Sequence, residues 1–279
     1  MQEITYYPGC TLTTTAFEYG DSTLSVLTKL NIKVNEIPDW NCCGAASAKS
    51  LDHRLSILIP ARNIRNACSL KNDIYVPCAG CYNNLMKAKR AIENEEKRKK
   101  IEEELDYKFD HIPEIYPIMN VFLNDNVRSV LQLNKFKGKI KVASYYGCAF
   151  LRPEEVLKNE HPELPKSIDV ILNELGVETV EWPLKNFCCG GDLSLADPSI
   201  VTKLVDKIIT YAQETGSEAI VTACPLCQAN LEMRQSMNFP VFYFTEIVGI
   251  ALGVDKDIWW KKHLVDPTPL VKKFKEIKG

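Results

Sequence analysis

Lys139–Cys148 reads KIKVASYYGC, a run of β-branched and aromatic residues that passes through Gly147 and ends in a cysteine. Such a run is a strand signal, and its last residue is placed where a strand delivers a ligand. Downstream the signals alternate. Ser167–Leu175 (SIDVILNEL) has helical periodicity with Gly176 as its C-cap, and Thr179–Trp182 is a short strand leading through Pro183 to Cys188-Cys189-Gly190. Ser199–Glu214 then puts Ile200, Leu204, Ile208 and Tyr211 on one helical face before Gly216, and Ala219–Thr222 is a strand running into Cys224. The N-terminal half follows the same order: strand Ile4–Tyr7 before Cys10, a helix around Leu24–Leu30, Cys42-Cys43-Gly44, a helix around Leu55–Ala67, and strand Ile74–Val76 before Cys78. Strands alternating with helices predict parallel α/β sheets, whose sites lie beyond the carboxyl ends of the strands.

Ten of the eleven cysteines form one five-residue pattern written twice: Cys10, Cys42, Cys43, Cys78 and Cys81, then Cys148, Cys188, Cys189, Cys224 and Cys227. Four of the five pairs share an offset of 146 residues, while Cys10 and Cys148 are 138 apart because the second copy has a longer first spacer. Thiolates in this number are disulfides, zinc ligands, redox dithiols or iron-sulfur ligands. Met1–Cys10 lacks the basic and continuous apolar segments of a secretory signal, so free thiols in a reducing cytoplasm are expected. A structural zinc takes four tetrahedral ligands, whereas each copy offers five cysteines, two of them adjacent. A thioredoxin-like dithiol at Cys78-x-x-Cys81 or Cys224-x-x-Cys227 leaves three cysteines per copy unexplained. Adjacent side chains in an extended segment diverge, so each Cys-Cys pair suits different irons of one polynuclear cluster.

Each copy resembles the cysteine-rich CCG domain, a lone cysteine followed by Cys-Cys-Gly and then Cys-x-x-Cys. The spacers are 31 and 34 residues in the first copy and 39 and 34 in the second. Two complete copies covering nearly all of the chain are most similar to the family of heterodisulfide reductase B subunits of methanogenic archaea. The resemblance implies two homologous Rossmann-like CCG domains with mainly parallel sheets, related by pseudo-two-fold symmetry. It also implies two noncubane [4Fe-4S] clusters, one on Cys10, Cys42, Cys43, Cys78 and Cys81, the other on Cys148, Cys188, Cys189, Cys224 and Cys227. The implied reaction is reduction of the mixed disulfide of coenzyme M and coenzyme B to two thiols, with the disulfide between facing clusters. Related lactate-utilisation and quinone-linked oxidoreductases share two CCG domains and are the alternative, as is a zinc-binding structural subunit.

The pattern breaks once. Asn84-Leu85 matches Asn230-Leu231 at the offset of 146, but Ile112–Tyr116 matches Phe239–Tyr243 at 127, so the first copy carries 19 additional residues. They fall in 86–111, where Lys87–Glu104 holds 13 charged residues in 18 and predicts an extended, largely solvated helix laced by pairs such as Glu96/Lys100. The expected domains are 1–138, including that insertion, and 139–279, with Leu123–Gly138 as the linker.

At 279 residues, 46% hydrophobic, the chain can bury two cores, and a net charge of −2 argues against a nucleic-acid binder. The longest apolar stretch, Phe239–Val254, is 16 residues with Glu246 inside it, short of the roughly 20 a spanning helix needs. The sequence has no Gly-x-Gly-x-x-Gly fingerprint, no P-loop and no ferredoxin-type cysteine run. No nucleotide or flavin is therefore expected in this chain. By the family resemblance its electrons come from a small ferredoxin-like [4Fe-4S] subunit and a flavin-containing subunit, in some settings within a hydrogenase or formate dehydrogenase complex.

The implied substrate carries sulfonate, phosphate and carboxylate groups, which makes Lys49, Arg54, Arg152 and Lys185, each close to a cysteine motif, candidate anion ligands. Gly44, Gly190 and Gly191 are candidates for close backbone approach to cluster or substrate. Cys68 lies outside both motifs and reads as a buried small hydrophobe, and His53, His111, His161 and His263 form no motif.

Overall fold

Parallel pairing needs a crossover connection such as a whole helix, since a tight hairpin cannot return the chain to the same end of a sheet. The computed structural model describes residues 2–45, 47–194 and 196–278. Its first sheet contains β1 (Glu3–Tyr6), β2 (Lys33–Glu36), β3 (Ile74–Val76) and β4 (Ile115–Pro117), in the order β2-β1-β3-β4. The second contains β5 (Lys141–Tyr145), β6 (Glu178–Thr179), β7 (Ala219–Thr222) and β8 (Val241–Tyr243), in the corresponding order β6-β5-β7-β8. All pairings are parallel, with Tyr6 opposite both Glu36 and Tyr75, and Tyr145 opposite Thr222. The two sheets therefore repeat one topology, as the α/β reading requires.

The helices of the first half are α1 (Gly9–Leu12), α2 (Phe17–Lys29), α3 (Ser47–Leu51), α4 (Leu55–Ala67), α5 (Ala79–Glu93) and α6 (Glu95–Leu105), followed after β4 by α7 (Met119–Phe122) and α8 (Asp125–Leu133). The second half adds α9 (Ser167–Glu174), α10 (Pro198–Glu214), α11 (Pro225–Arg234), α12 (Phe244–Leu252), α13 (Asp257–Trp260) and α14 (Thr268–Glu276). Among the described residues no helix is long and apolar enough to cross a membrane. The apolar stretch at 239–254 forms β8 and α12, and all nine residues of α12 are buried. A helix apolar on every side belongs in a core. Here α12 packs against α2 of the other half, where Tyr19 and Tyr243 stack at 4.2 Å and Ser22 Oγ lies 2.7 Å from Thr245 Oγ1.

Three expectations change. In α10 the inward face is Val201, Val205, Ile208, Ile209 and Ala212, while Ile200 and Tyr211 are 46% and 39% exposed. Asp197 caps this helix through the Ile200 N–H, and packing on the sheet selects the neighbouring stripe. The charged insertion is two helices, not one. The chain breaks at Asn94, whose side chain accepts the Lys97 N–H, and α6 then folds back with Ile101 buried. Glu96–Lys100 forms at 3.1 Å, but Lys89 is itself buried between Glu93 (2.7 Å) and Glu114 (2.9 Å). Finally, 123–138 is not a bare connection: it contains α8, docked on α9 through Arg128 and Glu174, and Phe136 bridges to Lys278.

Candidate metal centres

The motif cysteines follow the carboxyl ends of strands, at the starts of helices or in the Cys-Cys-Gly loops. Cys10 lies in α1 after β1, Cys78 is the N-cap of α5 after β3, and Cys224 is the N-cap of α11 after β7. Helix starts present free N–H groups that favour thiolate. The Cys227 N–H points at Cys224 Sγ (3.4 Å) and the Gly190 N–H at Cys188 Sγ (3.4 Å). Cys43, Cys78, Cys81, Cys189, Cys224 and Cys227 are buried, whereas Cys10, Cys42 and Cys188 reach the surface.

Within each copy the sulfurs converge in pairs. Cys10 and Cys42 are 3.5 Å apart, Cys148 and Cys188 3.7 Å, and Cys189 and Cys227 3.8 Å. Two thiolates on one tetrahedral metal with bonds of about 2.3 Å stand roughly 3.8 Å apart, so each pair can share a metal atom. Among the described residues no three ligating side chains close around a single ion. Five soft sulfur donors arranged in pairs fit a polynuclear cluster. Hydrogen bonds between neighbouring thiols split their acidities: Cys42 holds Cys43 below the usual thiol range, Cys81 does so for Cys78, Cys148 for Cys188 and Cys227 for Cys189. Their partners Cys42, Cys81, Cys148 and Cys227 are correspondingly pushed up.

The repeat extends to residues that hold the cysteines. Tyr7 and Tyr145, at the same offset as Cys10 and Cys148, donate their hydroxyls to Asn41 O (2.7 Å) and Phe187 O (2.6 Å), the carbonyls immediately before each Cys-Cys. Asn84 and Asn230 donate to Cys43 O (3.3 Å) and Cys189 O (2.7 Å). The sequence already paired Asn84 with Asn230, but only the fold assigns them this role. Gly9 and Gly147 precede the first cysteine of each copy with φ of +70° and +64°, and a Cβ on either would stand 2.9 Å from Cys81 Sγ or Cys227 Sγ. Gly147→Ala is expected to cost about 1–2 kcal/mol from left-handed backbone alone and to displace Cys227. Anaerobic urea denaturation with metal analysis checks both effects.

The candidate anion ligands are distributed differently. Arg54 pairs with Glu104 (3.0 Å), Arg152 with Glu163 (2.6 Å), and Lys185 is buried between Asp169 and Glu181, each at 3.3 Å. Lys49 has no ion-pair partner among the described residues. Neither has Lys87, a half-buried residue that sequence reading placed in the solvated insertion. Burial first, then the charge of Lys49, pulls the Lys87 ammonium down, and Asp192 opposes them. Lys49 and Asp192 follow the first and second Cys-Cys-Gly turns, so Lys87 lies within the field of both. Gly44, Gly190 and Gly191 face protein side chains: a Cβ on them would meet Ala48 (2.8 Å), Leu204 (3.0 Å) and Leu226 (2.9 Å). Cys68 is half-buried, its thiol directed at Ile64 O (3.2 Å) and His111 O (3.4 Å).

The two halves meet beside the cysteine motifs. Asn83, two residues after Cys81, donates to Ala149 O (2.9 Å) and Arg152 O (2.6 Å) in the loop after Cys148, and Tyr82 donates to Asn159 (2.9 Å). Tyr19 hydrogen-bonds Pro77 O (3.2 Å), beside Cys78, and stacks on Tyr243.

The sequence profile of the cysteine-rich domain CCG matches residues 4–86 and 142–232, the two halves that carry these sites. The chain belongs to the CCG cysteine-rich domain family. Its CCG domains are similar, at 29% identity over 96% of this chain and 99% of the relative, to an 8-methylmenaquinol:fumarate reductase membrane anchor subunit of Wolinella succinogenes. They are also 24% identical, over 92% of this chain and 91% of the relative, to the B subunit of the ferredoxin/F420H2-dependent CoB-CoM heterodisulfide reductase of Methanosarcina acetivorans. In three dimensions the CCG pair resembles a crystal structure of a hypothetical protein from Helicobacter pylori, with a TM-score of 0.69 at 13% identity, over 95% of this chain and 52% of the other.

Proposed function

We propose that this CCG-domain chain is the iron-sulfur subunit of a multi-subunit oxidoreductase that cleaves the coenzyme M–coenzyme B heterodisulfide to two thiols. The observation that carries the reading is that the flank of one five-cysteine motif bonds the flank of the other, Asn83 to the loop after Cys148. Breaking a disulfide takes two electrons, and two sites offer one receiving position for each sulfur. Noncubane [4Fe-4S] clusters held by the ten motif cysteines would supply one-electron storage and soft iron. Tyr7, Tyr145, Asn84 and Asn230 hold the turns that present the thiolates. Lys49 and Lys87, cations without carboxylate partners among the described residues, attract the acidic groups of the substrate, while Arg54, Arg152 and Lys185 serve the fold. Electrons enter from a ferredoxin-like subunit and a flavin-containing subunit. A cytoplasmic location follows from the reducing conditions that free thiols need.

A second reading has its own support, because the fumarate reductase subunit is matched at higher identity over almost its whole length. In that reading the same clusters pass electrons in a quinone-linked complex. One experiment separates the alternatives: iron, acid-labile sulfide and zinc analysis of anaerobically purified protein, then EPR of the oxidised sample with coenzyme M or coenzyme B thiol added. About eight irons and eight sulfides with thiol-dependent signals are expected. A full iron load with spectra indifferent to either thiol selects the quinone-linked reading, and zinc without labile sulfide overturns both.

A further inference from the structure

Where the two halves meet, the fold buries an ionic cluster that the cysteine chemistry does not use. His263, its side chain fully buried, lies between Glu232 (Nδ1 to Oε1, 2.7 Å) and Glu246 (Nε2 to Oε1, 3.0 Å). Glu232 also accepts the Leu264 N–H (2.7 Å), and Glu246 the Tyr243 N–H (2.8 Å). From the opposite half α2 inserts Glu18, 2% exposed, with an Oε2 that has no hydrogen-bond partner among the described residues. Burial first, with Glu246 and Glu232 adding to it and the Glu18 N–H and His263 opposing it, raises this carboxyl to about 7. His263 is held up at about 11 by the two glutamates against burial, so it stays cationic. The remaining polar neighbours are neutral: Tyr19, Tyr243, Gln228, Ser22 and Thr245. Asp21, at the rim, is taken by Lys256 (2.7 Å) and the Trp259 indole (2.6 Å).

The cluster is tied to the second cysteine site through Gln228. Gln228 directly follows Cys227, and its side chain lies 3.4 Å from His263 Nδ1 and accepts from the Tyr243 hydroxyl at 3.3 Å. The charge of Cys224 is felt at Tyr243. Beside His263, whose imidazole is itself fully buried, lies a cavity of about 390 Å³ also lined by Asp257, Trp260 and Lys261. An electron placed near a buried carboxylate repels it strongly in a low-dielectric interior, and protonation removes that repulsion.

We propose that Glu18 takes up the proton that accompanies an electron entering the Cys148–Cys227 site, and releases it when the site is re-oxidised. The electron comes from a low-potential iron-sulfur or flavin donor, and the proton from water. The disulfide R–S–S–R′, taking two electrons and two protons in all, leaves as RSH and R′SH. The inference rests on the disulfide reading for the destination of electrons and protons, and on the cluster geometry for the acceptor.

The test is an EPR-monitored redox titration of the anaerobic holoprotein between about pH 6 and 9. In the wild type the potential of the second-site signal is expected to fall by about 59 mV per pH unit above neutrality, one proton per electron, and in Glu18→Gln to be independent of pH. Equal slopes in the two proteins, or a flat wild type, would overturn the proposal. Dye-monitored proton uptake on reduction of the wild type alone gives a second reading: no uptake also overturns it. The apoprotein separates this from failure of the iron assignment. Because folding raises the Glu18 pKa, its stabilising contribution is complete below about pH 4.5 and is lost as pH rises through about 7. The melting temperature of apo wild type should therefore fall relative to apo Glu18→Gln across that window, and parallel melting profiles would show that Glu18 does not bind the proton.

Discussion

Cys189→Ala is expected to halve the iron bound per chain, from about eight atoms to about four, with labile sulfide falling in parallel. Cys189 is 4% exposed, its sulfur is 3.8 Å from Cys227, and its carbonyl is anchored by Asn230. Removing it deletes a donor from the buried end of the second site. The first site should keep its metal, because its five cysteines come from residues 10–81 around the other sheet. Cys68→Ala is the internal control: its thiol faces two backbone carbonyls outside both sites, so iron should not change. Anaerobic metal analysis of the three proteins checks this. An iron content that stays whole in Cys189→Ala, or is lost entirely, contradicts two separate five-cysteine centres.

His263→Ala is expected to destabilise the protein by about 3–5 kcal/mol, the usual consequence of removing one partner from a buried ion pair. Two glutamates, 5% and 0% exposed, would face each other and Glu18 without their only buried cation. The packing loss adds to this, since the imidazole also lies against Phe242 and Trp260 at 5.9 and 6.4 Å. The pH dependence has a definite sign. Folding raises His263 from 6.5 to about 11, so its contribution is fully present below about pH 6.5 and fades as pH rises through 11. Equilibrium urea unfolding of both proteins near pH 6 and pH 10 should show the gap narrowing at the alkaline end. A gap that widens there would mean the imidazole is neutral in the fold.

Much of this architecture can be read along the chain. KIKVASYYGC announces β5 and its cysteine because strand propensity and turn chemistry are local properties. The matching offsets of Cys42 with Cys188 and Asn84 with Asn230 expose the repeat before any coordinate is known. The phase of α10 could not be read in this way: two overlapping apolar stripes run along it, and the sheet chose the one containing Val201 and Val205. Nor could the break at Asn94, where helix propensity continues on both sides and a side-chain cap decides.

Order along the chain was enough for the parallel α/β class, the duplication and the ten thiols grouped in two fives, since each depends on periodicity or on the spacing of a repeated motif. What the charged and aromatic side chains do was settled by packing. Arg54, Arg152 and Lys185 are spoken for by Glu104, Glu163 and Asp169, leaving Lys49 and Lys87 without carboxylate partners among the described residues. His263, which belongs to no motif, becomes the centre of a cluster that draws Glu232, Glu246 and Glu18 from three helices of two halves. Such groupings leave no periodic trace, because the residues meet only after α2 and α12 pack, and burial rather than sequence distance sets the strength of their charges.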